Sequence, residues 1–392
     1  MFTRKQWLTI SLILVCIGAV GAINILLNGE HVMGNTNQVP WGILIAGYVF
    51  FAASSTGVGL ISSLGHVFGI KRFELLGKRA LLISIILLLC GFGVLALELA
   101  NPLNMIYILL SPNIKSPIWW MGALYGLYLL LLFAEFYYSL KEDHKKVKPI
   151  ANIALITKLA AVSNLGVIFG MLHSRPFWQG PYYSLYMILT AILSGAAILS
   201  IAFYFVGQKG RQVVYQGENI LINLGKILAG ALFITAIFTF WKILTSLYGG
   251  IPGKSEAAIA LLVGPLGLKF WVMEIILGIF LPLFILIKYS FQPQKVMFAS
   301  ILTMLGVLFM RLDFVLSGQI IPLELIEGLQ ITGYNPYVPG WSEWALIVGA
   351  IGATIFLYML GEKKFNLDVI VDNHEHQENL ASTKTTLVKV EA

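Results

Sequence analysis

Charged side chains inside apolar runs are the residues of this sequence that can do chemistry. Glu274 is embedded in FWVMEIILGIF, Arg311 and Asp313 in FMRLDFVLSGQ, and Glu98 stands near the end of a third run. Lys242 and Lys269 sit near the ends of two more, and His173 and Arg175 directly follow another. A sparser second set comprises Glu135, Lys158 and Lys226, and neutral Ser163 and Asn164 fall between the two sets in depth. Hydrocarbon strongly penalises an ionisable group unless it meets a partner or a water-filled cavity, so each is a functional candidate. Carboxylates and amines in such surroundings exchange protons, and hydroxyls and amides relay them, so these residues compose a partial proton wire.

Structural readings stand beside the functional one. Lys226, Lys242 and Lys269 lie close enough to the ends of their runs to snorkel to the lipid headgroups. Arg311 and Asp313 are two residues apart, which places them on different faces of a helix, where each pairs with other helices rather than with its neighbour. A buried interhelical ion pair is the structural alternative for them. Glu274 is flanked by apolar residues on both sides and cannot snorkel easily, which favours a functional role.

The elements that position these groups are membrane helices. Of the 392 residues, 58% are hydrophobic and 11% charged, and the mean hydropathy is +0.83. That is more apolar surface than one soluble core could bury. Stretches of roughly 20 apolar residues, enough to cross about 30 Å of hydrocarbon, recur along the chain. They predict an all-α polytopic membrane protein with about ten spans. The first four lie near Trp7 to Leu27, Trp41 to Phe68, Ala80 to Ala100 and Ile118 to Leu140. The next three lie near Ile150 to Leu172, Ser184 to Val206 and Ile220 to Leu247. The last three lie near Leu268 to Ile287, Val296 to Gly318 and Glu343 to Leu360. The first is read as a retained helix, because no small-residue cleavage site follows it.

Lysine and arginine set the orientation, because positively charged short loops stay cytoplasmic. One side carries Arg4, Lys5, Lys71, Arg72, Lys78, Arg79, Lys141, Lys145, Lys146, Lys148, Lys209, Arg211, Lys288, Lys295, Lys363 and Lys364. The other carries Lys115, Arg175 and Lys254. Both termini are therefore expected in the cytoplasm. The set around Glu98, Glu274, Arg311 and Asp313 then lies toward the outer face, and Glu135, Lys158 and Lys226 lie toward the inner one. The net charge of +7 reflects this topology, with no clustered basic face for nucleic acid. Residues 362–392 read as a polar, flexible cytoplasmic tail.

Metal cofactors find few ligands. Cys16 and Cys90 both fall within apolar runs, short of the four thiolates that an iron–sulfur cluster takes. His31, His144, His374 and His376 fall in loops or the tail, and His66 and His173 lie near opposite faces, so no pair clamps a haem. Small-residue stretches, AGYVFFAASSTGVGLISSLG in the second span and ILSGAAILSIA in the sixth, are packing faces. Lying four spans apart, they hint at two similar four-helix bundles. Trp119, Trp120, Trp178, Trp241, Trp271, Trp341 and Trp344 are read as an aromatic belt at the outer interface.

The stretch SNLGVIFGMLHSRPFWQGPYYSLYMILTAILSGAAIL, Ser163 to Leu199, resembles the NrfD/PsrC family of membrane subunits, typified by polysulfide reductase. That family carries a Y-T-G-V-L-L run, then R-P-[FL]-W, then a helix ending S-[TG]-G-A-A. VPWGILIAGYVFFAASSTG resembles its W-G entry and small-residue helix, and ELANPLN its D-L-G-[RK]-P element, with Glu98 for Asp. FMRLDFVLSGQ resembles its arginine-bearing penultimate helix. KFWVMEIILGIFLPL and the count of ten spans are most similar to the HybB branch, the membrane subunit of a periplasm-facing hydrogenase. The resemblance covers about residues 38 to 360, within a transmembrane domain of residues 1–361 whose core is 38–318.

The resemblance implies two four-helix bundles, the second to fifth and sixth to ninth spans, with flanking helices, in a prokaryotic cytoplasmic membrane. It implies a subunit of a respiratory oxidoreductase complex that reacts with a quinone of menaquinone or ubiquinone type and carries no haem or iron–sulfur cluster itself. The implied partners are a ferredoxin-like iron–sulfur subunit and a catalytic subunit, which is a molybdopterin enzyme, a hydrogenase or a multihaem cytochrome. Trp41, Tyr48, Asn164, Arg175 and Trp178 are the expected quinone contacts. Glu98, Glu274, Arg311 and Asp313 are expected to polarise its oxygens and exchange protons, and Glu135, Lys158 and Lys226 to form a proton path. The chain departs from the family at several positions. A histidine of the first core helix falls at Tyr48, the Y-T-G run reads S-N-L-G, and the arginine of D-L-G-R-P is Asn101. A secondary transporter acting alone and a passive membrane anchor are the competing readings.

Overall fold

Backbone amides within a bilayer have no water to bond, so apolar runs of this length close their hydrogen bonds internally as helices. The computed structural model describes residues 3–99, 102–210, 213–323 and 333–368. Ten of its helices are long and apolar enough to cross a membrane. They are α1 (Arg4–Asn28), α2 (Ile43–His66), α3 (Gly77–Glu98), α4 (Pro117–Leu140) and α5 (His144–Gly170). The other five are α6 (Tyr182–Gln208), α7 (Ile220–Tyr248), α8 (Gly267–Lys288), α9 (Pro293–Ser317) and α10 (Trp341–Lys364). A two-stranded hairpin, Val214–Tyr215 against Glu218–Asn219, joins α6 to α7, and a short helix, Lys254–Leu262, joins α7 to α8.

The termini of these helices are capped locally. Thr3 and Gln6 form a reciprocal capping box at the start of α1, Ser116 accepts from Trp119 N ahead of α4, and Asn219 accepts from Leu221 N ahead of α7. Asp143 caps α5, so that helix begins at His144, earlier than hydropathy places it, and takes Lys145, Lys146 and Lys148 into its first turns. Residues Phe270–Phe280 of α8 are π-helical, a wider coil that recurs at functional sites.

Helices α2, α3, α4 and α5 pack as one ring of four, and α6, α7, α8 and α9 as a second. The rings meet where α2 and α5 pack on α6 and where α2 packs on α9. At that seam Gly57 of α2 lies against the Ala191 carbonyl and Gly195 of α6, leaving no space for a Cβ on either glycine. The small residues of the second and sixth spans therefore face each other. Helices α1 and α10 pair with one another and rest on α3.

Residues 362–368, assigned to a flexible tail by polarity, are held against the bundle, while 369–392 lie outside the described residues. Glu362 is 8% exposed and accepts from Arg79 Nη1 at 3.0 Å and from Lys209, and Asp368 accepts from Arg79 Nη2 at 2.6 Å. Charge, which marked the segment as a tail, is what fastens it: Arg79, 2% exposed, is buried only with these carboxylates to neutralise it.

Candidate functional site

Each helix of the second ring contributes a side chain to one small cavity, at the face opposite the start of α1. Tyr186 comes from α6, Thr239 and Lys242 from α7, Phe270 and Glu274 from α8, and Met310, Asp313 and Phe314 from α9. Its volume is about 10 Å³, at the lower limit for one water molecule. Glu274 is 5% exposed and Asp313 2%, and neither oxygen of Asp313 has a hydrogen-bond partner among the described residues. The Lys242 ammonium stands over two aromatic faces, 4.5 Å from the Phe177 centroid and 4.9 Å from that of Tyr183. It points inward, so Lys242 does not snorkel. Two carboxylates and an amine around so small a space can exchange protons with one another, and they leave no room for a ring.

Arg311 takes the direction that its two-residue offset from Asp313 dictates. It is fully buried and turns to α6, donating to Thr190 Oγ1 at 2.8 Å and to Met187 Sδ at 3.1 Å. It does not line the cavity, and it adds a fixed positive charge at the seam between the rings.

A larger cavity of about 350 Å³ adjoins this site, within the range of small-molecule sites. Val39, Pro265, Leu266, Leu316, Ile320 and Pro336 give it apolar walls, and Lys269, Asn335 and Tyr337 supply polar atoms. The two cavities share a wall. Lys269 lines the larger and the next residue, Phe270, the smaller, while Leu316 and Asp313 are one turn apart on α9.

The HSRPFW hinge builds the frame around these cavities. Arg175 donates to three carbonyls from two segments, Gln319 O at 3.4 Å and Ile321 O at 3.0 Å after α9 and Gln38 O at 3.3 Å before α2. Trp178 is 1% exposed, stacks on Trp41 at 5.7 Å and donates from Nε1 to Phe314 O at 2.8 Å. Gln319 brackets Trp41 with one bond to its N–H and one to its carbonyl. Trp178 is thus core rather than belt, whereas Trp120, Trp241, Trp271 and Trp341 are exposed as a belt requires. Arg175, Trp41 and Trp178, expected as ring contacts, hold the ends of α2, α6 and α9 together and line neither cavity.

Other expected residues lie apart from the cluster. Glu98 is at the end of α3, where Oε1 accepts from Asn35 Nδ2 at 3.0 Å, and it is not brought to Glu274 or Asp313. Depth alone grouped them; they belong to different rings. Asn164 donates to Pro117 O at 2.8 Å, tying α5 to the start of α4. Tyr48 is buried in the first ring, its ring centroid 6.4 Å from that of Tyr125. Lys226 is exposed, so it is not brought to Glu135 and Lys158, which are each 2% exposed within the first ring. Asn101 lies outside the described residues.

Sequence reasoning missed Glu343, which is fully buried. Its Oε2 accepts from Gly34 N and Gly340 N at 2.7 Å each, and Oε1 accepts from Tyr337 OH at 2.9 Å. Burial, and next the Glu343 charge, push the Tyr337 phenol well above its usual range, so it remains a hydroxyl donor. The signal was the G-W-S-E start of α10, a helix entry with Glu at its third residue. His66 was also missed as a partner: its Nδ1 lies 2.9 Å from Glu135 Oε1.

Comparison with known proteins agrees with this architecture. The chain is 24% identical to a selenate reductase subunit of Mesobacillus selenatarsenatis, covering 91% of this chain and 93% of that one. It is also 24% identical to the Hdr-like menaquinol oxidoreductase integral membrane subunit of Archaeoglobus fulgidus, covering 92% and 94%. The family described as polysulphide reductase, NrfD, matches residues 31–323. That match takes in both rings and the wall between the two cavities, and the chain belongs to the NrfD family of multi-pass membrane proteins.

Proposed function

We propose that this chain is the quinone-reactive membrane subunit of a respiratory oxidoreductase complex, exchanging electrons with a docked iron–sulfur subunit. The observation that carries the reading is the shared wall. An apolar cavity of about 350 Å³ with a few polar atoms stands one helical turn from a site of Lys242 and buried Glu274 and Asp313, the last with no hydrogen-bond partner among the described residues. A quinone, when bound, supplies two carbonyl oxygens that accept electrons and protons. Lys269, Asn335 and Tyr337 are the groups of this chain that would hold and orient it, and Leu266, Leu316 and Ile320 would exclude water from its ring. Glu274 and Asp313 hold and pass the protons, with the positive charges of Arg311 and Lys242 nearby to balance the carboxylates between transfers. The name of the Archaeoglobus relative, a menaquinol oxidoreductase subunit, supports the same substrate class. A redox complex also supplies a catalytic subunit for the terminal substrate, outside this chain.

The test is quinone-dependent turnover of the purified, assembled complex. Glu274→Gln is expected to lower kcat about 10²-fold or more, the scale of general acid–base catalysis, and Arg311→Ala to lower it as well, with the complex intact. Unchanged turnover in both variants would make these charges structural and favour a passive anchor.

A further inference from the structure

On the face where α1 begins, carboxylates neutralise several of the cations. Arg72 meets Glu218, Lys78 meets Glu142, Arg79 meets Glu362 and Asp368, Lys146 meets Asp143, and Lys209 meets Glu362. Lys288 and Lys295 lie on the same face and have no carboxylate within ion-pair distance among the described residues. Lys288 ends α8 and Lys295 stands in the first turn of α9, and both turn to one side chain. The Lys288 ammonium is 5.6 Å from the Tyr289 centroid and the Lys295 ammonium 4.5 Å. The two charges are therefore close enough to repel through solvent. The aromatic face they share offsets only part of that repulsion.

The turn between the two helices forces this approach. Ser290 and Phe291, with φ of 48° and 58°, are both left-handed, and they reverse the chain between Lys288 and Pro293. Phe291 packs back on α7, where Gly225 leaves it room: a Cβ there would lie 3.1 Å from Phe291 Cδ1 and 2.9 Å from Val296 Cγ2. The first turn of α9 holds no acidic residue, so the partial positive charge of its N-terminus adds to that of the lysines. Further into the membrane, Gly278 against Gly306 keeps α8 and α9 in contact. The outward sides of this helix pair are apolar and open, with Phe284 57% and Ile287 63% exposed on α8 and Phe298 50% and Ile301 45% on α9. On membrane-spanning helices such side chains face acyl chains.

We propose that the α8–α9 turn is a binding site for an anionic phospholipid. Its phosphate is held between Lys288 and Lys295 beside Tyr289, and its acyl chains lie along Phe284, Ile287, Phe298 and Ile301. The phosphodiester supplies the negative charge that the carboxylates supply elsewhere on this face, and ammonium groups are its ordinary partners. A zwitterionic headgroup brings its own cation, which the two lysines repel, so the site selects a headgroup of net negative charge. A free phosphate would satisfy the lysines and leave the apolar sides of α8 and α9 unused, whereas a lipid satisfies both. Bound there, it ties the end of α8 to the start of α9, the helices that carry Glu274 and Asp313. The site is on the opposite face from both cavities, so it stands whatever occupies them.

The test is native mass spectrometry of the full chain, delipidated in detergent and titrated with phosphatidylglycerol or with phosphatidylcholine of the same acyl chains. Wild type is expected to bind phosphatidylglycerol the more tightly. The double variant Lys288→Gln, Lys295→Gln is expected to weaken that binding roughly tenfold or more, since each lysine beside an anionic lipid contributes about fivefold. Phe298→Ala, on the path of the acyl chains, is expected to weaken it severalfold. Lys145→Gln with Lys148→Gln removes the same charge from exposed positions of α5 on the same face and is expected to leave it unchanged. Equal affinity of wild type for the two lipids, wild-type affinity in the Lys288 and Lys295 double variant, or an equal loss in the α5 double variant would overturn the proposal. So would displacement of the lipid by millimolar inorganic phosphate, which would make this an anion site without acyl contacts. If the double variant does not fold, Lys288→Gln alone, at an exposed side chain, decides by its expected loss of about fivefold.

Discussion

Arg175 shows how one side chain turns a hinge into a frame. Its planar guanidinium reaches three carbonyls on connections that precede α2 and follow α9. Lysine carries the same charge but cannot span that fork. Arg175→Lys is therefore expected to destabilise the chain by about 1–3 kcal/mol, the cost of buried polar groups left unsatisfied. Trp178→Phe keeps the stacked ring and loses one bond to Phe314 O, a cost of about 1 kcal/mol. Thermal unfolding of the purified variants in detergent should rank Arg175→Lys below Trp178→Phe; the reverse order would put the weight on the ring cluster. Residue by residue, the sequence made Glu274 and Asp313 legible because apolar neighbours on both sides fix their depth. It did not separate Glu98 from them, because hydropathy reports depth along a helix and not rotation about it. Nor did it expose the scaffolding role of Arg175, whose partners are backbone carbonyls that have no sequence signature.

At the scale of elements, glycine decides where the two rings touch. Without a hydrophobic driving force between helices in lipid, close backbone approach is what holds them. Gly57 and Gly195 cross at the α2–α6 seam, and Gly278 and Gly306 bring α8 against α9 beside Glu274. Gly195→Leu is expected to force the rings apart, lowering the yield of folded chain and exposing the seam to limited proteolysis, whereas Gly230→Leu, at a site open for 4 Å, should do neither. Equal behaviour of the two variants would remove the seam as a determinant of the fold. Small-residue runs made this contact legible, and helix number and order were legible from hydropathy. The π-helical stretch of α8 was not, since FWVMEIILGIF reads as an ordinary apolar helix.

For the whole molecule, the proposed function depends on which side of the membrane the two cavities face. The cavities lie at the ends of α7 and α9 and the starts of α6 and α8; the His66–Glu135 pair lies at the ends of α2 and α4, the opposite face. The loops on the His66 face carry most of the lysine and arginine, which predicts that this face is cytoplasmic. Single cysteines at exposed loop positions test it. Lys115→Cys, between α3 and α4, is expected to react with a membrane-impermeant maleimide on intact cells. Lys145→Cys, in the first turn of α5, should react only after permeabilisation. The native Cys16 and Cys90 lie within helices α1 and α3, so the unsubstituted chain serves as the control. With this orientation, the proposed quinone site faces the outer side, where a docked iron–sulfur subunit would deliver its electrons. Labelling in the opposite sense would turn the cavities, and the partner that docks beside them, to the cytoplasm.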